Sequence, residues 1–488
     1  MSSAWSTPFL TVAETHSGVL VLSADRAHKM KKPVRTAFLD FSTPARRRAA
    51  LDRELELNRR LAPDVYLGVV TVEDPLGGAA EPVLVMRRMP DELRLSTMVT
   101  QGRAVDAHLV ALAHLVADFH GTARRGPEVD AEGGADALRE RWGDNVDQAR
   151  EMGVLDAGVL DEVAELVAQF LDGRGPLLAL RVAQGCIVDG HADLIAEDVF
   201  CLPDGPRVLD CLDFDDRLRF VDRLDDAAFL AMDLEHLGRP GLAADFLHDY
   251  ALASGETVAA PDSLVHHYTA YRAFVRAKVE GLQHTQGRAG AAEQAAGYAD
   301  LALRHLRAAT VRLVLVGGLP GTGKSTVAAA LAAELGAVVL ASDVLRVELR
   351  AAGEIAGEGG TVDGGAYSAG AKERVLAALL DRARSELGLG RSVVLDASWT
   401  SAADRTRVVS LALQGSSDVT ELRCVVPAEV AAQRIHQRPR GPSEATPEIA
   451  AAMARSADPW PEAVALDTTA PLPATVREAL RAVLGPAR

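Results

Sequence analysis

A glycine-rich segment constrains the fold of this chain more than any other part of its sequence. Residues 318–325 read Gly-Leu-Pro-Gly-Thr-Gly-Lys-Ser, which satisfies the pattern G-x-x-x-x-G-K-[ST]. The apolar run RLVLVG precedes the segment, and the helical run STVAAALAAEL overlaps its end and continues beyond it. A buried strand, a loop and a helix in this order form the context in which such a loop folds around phosphate oxygens. Strands and helices alternate beyond it, which predicts an α/β domain with a parallel sheet.

The residues of this loop are expected to bind ATP and Mg²⁺. Its glycines allow the backbone to close on phosphate oxygens, and the following helix adds its dipole. Lys324 would reach the β- and γ-phosphates, and the Ser325 hydroxyl would ligate Mg²⁺. The predicted ATP-binding residues of the loop are Gly318, Gly321, Thr322, Gly323, Lys324, Ser325 and Thr326.

Two further strands of this region each end at or just before an aspartate. The run AVVLAS leads to Asp343, with Arg346 three residues later, and RSVVLDAS contains Asp396. Open α/β sheets bind ligands at the carboxyl ends of their strands, so both carboxylates are candidates for the site. Two simpler interpretations remain open: Asp343 could cap the next helix, and Asp396 could be an ordinary turn residue.

This C-terminal pattern resembles the small-molecule kinases of the P-loop class, among them gluconate kinase-like and chloramphenicol phosphotransferase-like enzymes, and also polynucleotide kinases. The resemblance implies that Asp343 accepts the proton of the substrate hydroxyl and that Asp396 takes the Walker B position near Mg²⁺. It also implies a lid helix, on which Arg434 and Arg438 would contact the transferring phosphoryl group. Both arginines could equally be solvated surface charges.

The beginning of the chain is predicted to form a small β-rich lobe with one helix. Residues 19–32 are predicted to form two short strands, and residues 45–61 a charged helix. The runs VYLGVVTV and EPVLVMRRM add strands on either side of the turn-rich DPLGG. From residue 106 the apolar residues recur at helical spacing, so the next part should be mainly helical.

An acidic interlude interrupts this helical part at residues 189–219. The loop DGHADLIAED precedes VFCLPDGPRVLDCLDFDD, a predicted strand pair that ends in carboxylates. Phosphoryl transfer from ATP to a hydroxyl needs a carboxylate beside the acceptor and oxygen ligands for Mg²⁺. Asp193, Asp198 and Asp213 have the chemistry and the spacing for these tasks.

These residues resemble the motif of the aminoglycoside phosphotransferase family, which has the protein-kinase fold and the pattern H-G-D-x-H-x-x-N before a strand and I-D-F. The resemblance implies that Asp193 is the catalytic aspartate, that Asp198 replaces the metal-binding asparagine, and that Asp213 is the main Mg²⁺ ligand. Asp226 would match the structural aspartate that closes the motif, and His191 would support the loop.

The motif departs from the family pattern at three positions. Ala192 stands where glycine is usual, Ile195 where a second histidine is common, and Asp198 where asparagine is usual. The first two departures leave open an inactive site. Asp210 competes with Asp213 for the metal position, because LDC and LDF both end apolar runs.

The same resemblance implies a lysine on the third strand and a glutamate on the next helix that together hold the nucleotide phosphates. Lys29 and Glu54 are our choices for this ATP-binding pair. Lys31, on the same face of the strand, is the alternative lysine, and Glu56 is the alternative glutamate. Taken singly, each could be a solvated charge.

Composition limits the classes of partner. The 488 residues carry a formal net charge of −16, which argues against nucleic acid as the substrate. No apolar run reaches the length needed to span a bilayer, and the four cysteines are too few to staple such a chain. We therefore expect a cytoplasmic protein that acts on a small-molecule hydroxyl acceptor without a membrane partner.

The expected fold class is an α+β protein-kinase-like bilobal domain followed by an α/β P-loop domain with a parallel sheet. We place the first domain at residues 1–307, with its small lobe at 1–95 and its helical lobe at 96–307. The second domain covers residues 308–488. The leading hypothesis is an ATP- and Mg²⁺-dependent phosphotransferase with two sites that acts on sugars, amino sugars or aminoglycosides. The alternative is one active P-loop kinase domain with a catalytically silent kinase-like domain that serves as a binding or regulatory module.

Overall fold

The fold was taken from a computed structural model, which describes residues 10–14, 17–35, 40–255, 260–356, 368–437 and 446–485. The chain divides into two compact units, and each is built from separated segments. Unit 1 comprises residues 1–160, 179–259 and 268–305, and unit 2 comprises residues 161–178, 260–267 and 306–488. No helix of the described ranges is long and apolar enough to cross a membrane.

Unit 1 begins with a five-stranded antiparallel sheet and a single helix. Its elements are β1 (Leu10–Glu14), β2 (Gly18–Ser23), β3 (Arg26–Lys31), α1 (Pro44–Asn58), β4 (Tyr66–Val72) and β5 (Glu81–Arg87). The strand order is β1-β2-β3-β5-β4. Helix α1 begins after Thr43, whose hydroxyl caps it, and buries Leu51 against Leu84 and Tyr66 of the sheet. This packing fixes α1 beside β3 and confirms the predicted β-rich lobe.

The rest of unit 1 is mainly helical. Its helices are α2 (Leu95–Thr100), α3 (Asp106–Thr122), α4 (Pro127–Asp130), α5 (Ala135–Met152), α6 (Ala157–Gly173), α7 (Gly175–Ala183), α8 (Arg223–His236), α9 (Pro240–Ala253), α10 (Asp262–Thr285) and α11 (Ala291–Ala309), of which α6, α7, α10 and α11 extend into unit 2. Short strands β6 (Ile187–Asp189), β7 (Val199–Leu202), β8 (Gly205–Val208) and β9 (Phe220–Asp222) form two antiparallel pairs, β6 with β9 and β7 with β8. The bilobal α+β class is thereby confirmed.

Unit 2 contains a five-stranded parallel sheet between helices. Its elements after residue 311 are β10 (Arg312–Gly317), α12 (Lys324–Leu335), β11 (Val338–Ala341), α13 (Ser342–Ala351), α14 (Ala369–Gly388), β12 (Val393–Asp396), α15 (Ala402–Gln414), β13 (Asp418–Val425), α16 (Ala428–Gln437), α17 (Pro447–Ser456), β14 (Val464–Asp467) and α18 (Leu472–Leu484). The order β11-β12-β10-β13-β14 places β10 at the centre. Its side chains are buried on both faces, because helices cover the sheet on both sides. The predicted α/β class is confirmed.

Candidate functional sites

The glycine-rich loop lies between β10 and α12, as its sequence predicts, and its backbone requires glycine at two positions. Gly318 has a φ of +143°, and Gly321 has a φ of +83°. A Cβ atom on Gly318 would lie 2.8 Å from the Cys424 carbonyl oxygen, and one on Gly321 would lie 2.4 Å from that of Ala431. Any larger residue would therefore displace the loop from the sheet and from α16.

The first turn of α12 contains Lys324, Ser325 and Thr326 beside the end of β12. Asp396 ends that strand and is buried, and its Oδ1 atom has no hydrogen-bond partner within the described residues. Burial raises the pKa of Asp396, against the charge of Lys324 and a hydrogen bond with Ser325. An unpaired buried carboxylate oxygen next to a serine hydroxyl is a donor set that fits Mg²⁺. The structure thus places Asp396 beside Lys324 and Ser325, and its role as a metal ligand stays a prediction.

A cavity of about 460 Å³ adjoins this loop and contains Asp343. The N-cap of α13 is Ala341, whose side chain cannot cap, and Asp343 is the second residue of the helix. Its Oδ1 atom lies 3.9 Å from Nε of Arg346. Pro320 and Lys324 form the wall of the same cavity on the side of the loop. A hydroxyl compound bound there would share the cavity with the carboxylate of Asp343 and the ammonium group of Lys324.

Sequence reasoning missed the apolar part of the lining of this cavity. That part is formed by Val375, Leu376 and Leu379 of α14, Ile449 and Met453 of α17, and Trp399. Trp399 follows the end of β12 with a φ of +51° and donates from its indole nitrogen to the Leu395 carbonyl oxygen, 3.2 Å away. The signal in the sequence that could have identified this part of the lining is Trp399, an aromatic residue three positions after the aspartate that ends β12.

Of the two arginines predicted for the lid, Arg434 lies within the described residues. Arg434 donates to the Thr468 carbonyl oxygen at 2.8 Å, and the Thr468 hydroxyl donates to the Thr322 carbonyl oxygen at 2.6 Å. Arg434 is therefore linked to the glycine-rich loop through Thr468. Arg438 lies outside the described residues.

In unit 1, two lysines share one buried glutamate. Nζ of Lys29 lies 2.7 Å from Oε1 of Glu54, and Nζ of Lys31 lies 2.9 Å from Oε2 of the same side chain. Glu54 is 1% exposed, whereas Glu56 is 69% exposed and pairs with Arg53. The glutamate of the predicted pair is thus the one that the geometry brings to β3, and both candidate lysines reach it.

Each lysine also holds a different aspartate. Lys29 contacts Asp210 at 3.0 Å, and Lys31 contacts Asp213 at 3.0 Å. The charge of Lys29 lowers the pKa of Asp210, whereas burial raises the pKa of Asp213. A cavity of about 280 Å³ is lined by Lys29, Asp198 and Asp210, together with residues of β2 and β5. The structure therefore separates Asp210 from Asp213 by the partner that each one holds.

Asp193 and Asp198 lie in the loop that follows β6. Burial raises the pKa of Asp193 to about 6. Burial and the nearby carboxylates of Asp210 and Asp193 raise the pKa of Asp198 well above its usual range. A cation among these carboxylates would relieve their repulsion. The described residues include no group of three or more acidic, histidine or cysteine side chains arranged to hold a metal, so Mg²⁺ would also need phosphate and water oxygens.

The loop around Asp193 is held by buried residues of α8, α3 and α10. Asp226 accepts hydrogen bonds from the backbone nitrogens of His191 and Ala192 at 2.6 and 2.7 Å, and from Nε2 of His120 at 3.0 Å. Arg272 donates to the Ala192 carbonyl oxygen at 3.2 Å. These contacts fix Ala192 at a φ of +65°. His120 and Arg272 were missed as supports, because they come from helices distant in sequence.

His191 is buried behind the same loop and supports it, as the resemblance implied. Its Nδ1 atom accepts from the Asp193 backbone nitrogen at 3.3 Å, and its Nε2 atom donates to the Leu209 carbonyl oxygen at 3.1 Å. Burial lowers the pKa of His191 to about 4, so the ring is neutral near pH 7. His191 thereby links Asp193 to the segment that carries Asp210.

Comparison with known proteins gives mycobacterial relatives that align over almost the whole chain, a family model and more distant solved structures. Residues 313–460 match a family model described as an AAA domain. The chain is 47% identical over 474 residues to the uncharacterized protein Rv2004c of Mycobacterium tuberculosis, an alignment that covers 97% of this chain and 95% of the relative.

Two solved kinases illustrate the structural comparisons. A gluconokinase from Sinorhizobium meliloti is 22% identical, covers 36% of this chain and 91% of its own, and has a TM-score of 0.27. A choline kinase from Cryptosporidium parvum is 11% identical, covers 61% of this chain and 89% of its own, and has a TM-score of 0.41.

Proposed function

This chain belongs to the family of the mycobacterial protein Rv2004c, and from the geometry of its two sites we propose that it is an ATP- and Mg²⁺-dependent phosphotransferase. The acceptors are hydroxyl groups of small polar metabolites such as sugars, amino sugars or aminoglycosides. One observation carries the proposal: Asp396, which interacts with Ser325 and with the charge of Lys324, keeps a buried oxygen without a hydrogen-bond partner in the described part of the chain, next to a cavity lined by Asp343 and Lys324.

In the C-terminal site the residues divide the work of phosphoryl transfer. Lys324 holds the β- and γ-phosphates at the start of α12, where the helix dipole also favours negative charge. Asp343 accepts the proton of the acceptor hydroxyl. Ser325 and Asp396 hold Mg²⁺, which would neutralise negative charge on the phosphate oxygens. The apolar wall formed by α14 and α17 excludes water from the acceptor.

In the N-terminal site Lys29 holds the nucleotide phosphates and is oriented by Glu54. Asp193 accepts the proton of the acceptor hydroxyl, and a pKa of about 6 suits a general base near neutral pH. Asp198 supplies an oxygen ligand for Mg²⁺ in the cavity that Lys29 lines. Cys201, Cys211 and Cys424 are buried thiols outside any disulfide, which supports a reducing compartment such as the cytoplasm as the location of the chain.

Phosphoryl transfer from γ-labelled ATP to a panel of amino sugars, aminoglycosides, sugar acids and nucleosides tests the proposal. Full-length protein is compared with Asp193→Ala and Lys324→Ala. We expect each variant to lose a different labelled product. No labelled product from any acceptor at enzyme concentrations of the order of the substrate would contradict the proposal.

A second candidate function is a single active P-loop kinase whose kinase-like unit binds a ligand without transferring phosphate. Ile195 favours it, because a buried apolar side chain occupies the position where a second histidine is common. In that case only Lys324→Ala loses product, and Asp193→Ala retains all of it. The same assay therefore separates the two functions.

A further inference from the structure

The two aspartates that follow β8 stand in different surroundings, although sequence alone leaves them as rivals. Asp210 lines the cavity of about 280 Å³ together with Lys29 and Asp198. Its side chain is 55% exposed, and its backbone has a φ of +60°, which turns the chain sharply after β8. Asp210 thus presents a carboxylate to the space in which the nucleotide would bind.

Asp213 is instead enclosed by protein groups. It is 21% exposed, and its Oδ2 atom lies 3.0 Å from Nζ of Lys31, which is itself 7% exposed. Lys31 also contacts Glu54 and lies 5.5 Å from the centre of the Phe41 ring. Neither Lys31 nor Asp213 lines the cavity within the described residues.

A side chain of α1 fixes the position of the segment between the two aspartates. The Cys211 backbone nitrogen donates to Oδ1 of Asn58 at 2.9 Å. Asn58 lies on α1, one helical turn after Glu54. The Lys31–Asp213 pair anchors the same segment three residues after Asp210. The arrangement leaves Asp210 on the cavity side and Asp213 on the protein side.

We infer that Asp210, with Asp198, holds the divalent cation of the N-terminal site, and that Asp213 is a positioning residue clamped by Lys31. The inference rests on the proposed function of this unit and reverses the assignment of Asp213 that the family motif implies. Carboxylates with one free face are the ligands that Mg²⁺ and Mn²⁺ take beside phosphate oxygens. Both aspartates pair with a lysine at 3.0 Å, but Asp210 and its partner Lys29 also line the cavity, whereas Asp213 and its partner Lys31 are enclosed and, in the part of the chain that the structure describes, do not.

Mn²⁺ binding, followed through the electron paramagnetic resonance signal of the free ion with AMP-PNP present, tests the assignment without any turnover. The parent is the full-length chain with Lys324→Ala and Ser325→Ala, which removes the lysine and the hydroxyl ligand of the C-terminal loop. We expect Asp210→Asn to weaken Mn²⁺ binding about tenfold or more, and Asp213→Asn to change it less than about threefold. Asp204→Asn is the matched control, since this exposed aspartate lies in the β7–β8 turn and pairs with Arg207.

The Lys31–Asp213 clamp also leads to a separate prediction for the affinity of the protein for AMP-PNP. Lys31→Met and Asp213→Asn should weaken AMP-PNP binding by the same factor, and the double variant should be no weaker than either one. Lys31→Arg, which keeps the ion pair, should restore the affinity. A purely structural pair would lower the melting temperature without this coupling in nucleotide binding.

The results separate two kinds of failure. If Asp213→Asn abolishes Mn²⁺ binding and Asp210→Asn retains it, this inference is wrong and the proposed function stands. If the parent binds no Mn²⁺ with AMP-PNP, the inference and the N-terminal half of the proposed function both fail. If the effects of Lys31→Met and Asp213→Asn on AMP-PNP affinity add up in the double variant, the two residues do not act as a pair and the proposed clamp is wrong.

Discussion

At the residue scale, the loop that follows β6 in unit 1 keeps an alanine in a backbone conformation that suits glycine. Ala192 has a φ of +65°, and its N–H and C=O are both held, by Asp226 and by Arg272. The sequence shows the departure from the family motif, but not its consequence. The structure shows that the loop keeps its turn and carries the strain.

We expect Ala192→Gly to stabilise unit 1 by about 0.5–1 kcal/mol, because glycine reaches a positive φ without steric cost. The gain is partly offset by the larger backbone entropy of glycine in the unfolded chain. Urea unfolding followed by circular dichroism measures it. Ala196→Gly is the control, since Ala196 is buried without a positive φ and should lose stability. If Ala192→Gly lost as much stability as Ala196→Gly, the backbone at Ala192 would not be strained.

The ionised carboxylate of Asp193 should lower the stability of the fold, in addition to its proposed role as a general base. Its pKa of about 6 exceeds its ordinary value, so its ionisation destabilises the fold as pH rises from about 4 to above 6. Asp193→Asn should therefore raise stability by about 2 kcal/mol at pH 8, with little change at pH 4.

Thermal melts at pH 4.5 and pH 8, together with the product assay, check this expectation. The same variant should lose the N-terminal product. A variant that is less stable at pH 8, or equally stabilised at both pH values, would contradict the role of ionisation.

At the element scale, the sequence predicted those helices, strands and loops that depend only on residues close together in the chain. The strand, loop and helix around Lys324 are contiguous, so residue order alone specified them. The family resemblance pointed to Lys29 on β3, and the period of two along a strand added Lys31 as its alternative. The choice between Asp210 and Asp213 did not follow from pattern, because it depends on a positive φ and on which lysine each carboxylate meets.

The glycine-rich loop yields a sharp test of backbone geometry. Gly321→Ala would place a Cβ atom 2.4 Å from a carbonyl oxygen of α16, so the loop must shift. We expect the affinity of the C-terminal site for AMP-PNP to fall about tenfold or more, because the backbone nitrogens leave their phosphate-binding positions.

Quenching of Trp399 fluorescence in the adjoining cavity is a suitable measurement. Gly370→Ala at the start of α14 is the matched control, since its Cβ atom would meet nothing within 4 Å. Equal affinity in the two variants would show that the loop tolerates a side chain.

At the scale of the whole molecule, sequence pattern could not assign two segments to unit 2. Residues 161–178 and 260–267 lie far before the glycine-rich loop in sequence, yet they belong to the same compact unit. Arg174 is 1% exposed and donates to the carbonyl oxygens of Leu387, Gly415 and Ser416 at the ends of α14 and α15. Helical periodicity predicted the helix that ends before Arg174, but periodicity says nothing about long-range partners.

We expect Arg174→Met to destabilise unit 2 by about 3 kcal/mol, because the buried carbonyl groups lose their donor. Calorimetry should show a lower melting temperature only for the transition that AMP-PNP shifts through Lys324. Arg181→Met is the control, since Arg181 is equally buried but pairs with Asp222 in unit 1. The same melting temperature as wild type for that transition would refute the role of Arg174.

The division of the chain also bears on how such a protein can be inherited. The backbone passes between the two units at five places, near residues 160, 178, 259, 267 and 305. A single break anywhere in the gene therefore cuts at least one unit into incomplete parts. Neither half can be exchanged by simple recombination for a homologous half without losing core segments. The two sites should accordingly be inherited together. The alignment with a relative that is 47% identical covers 97% of this chain and so includes both sites.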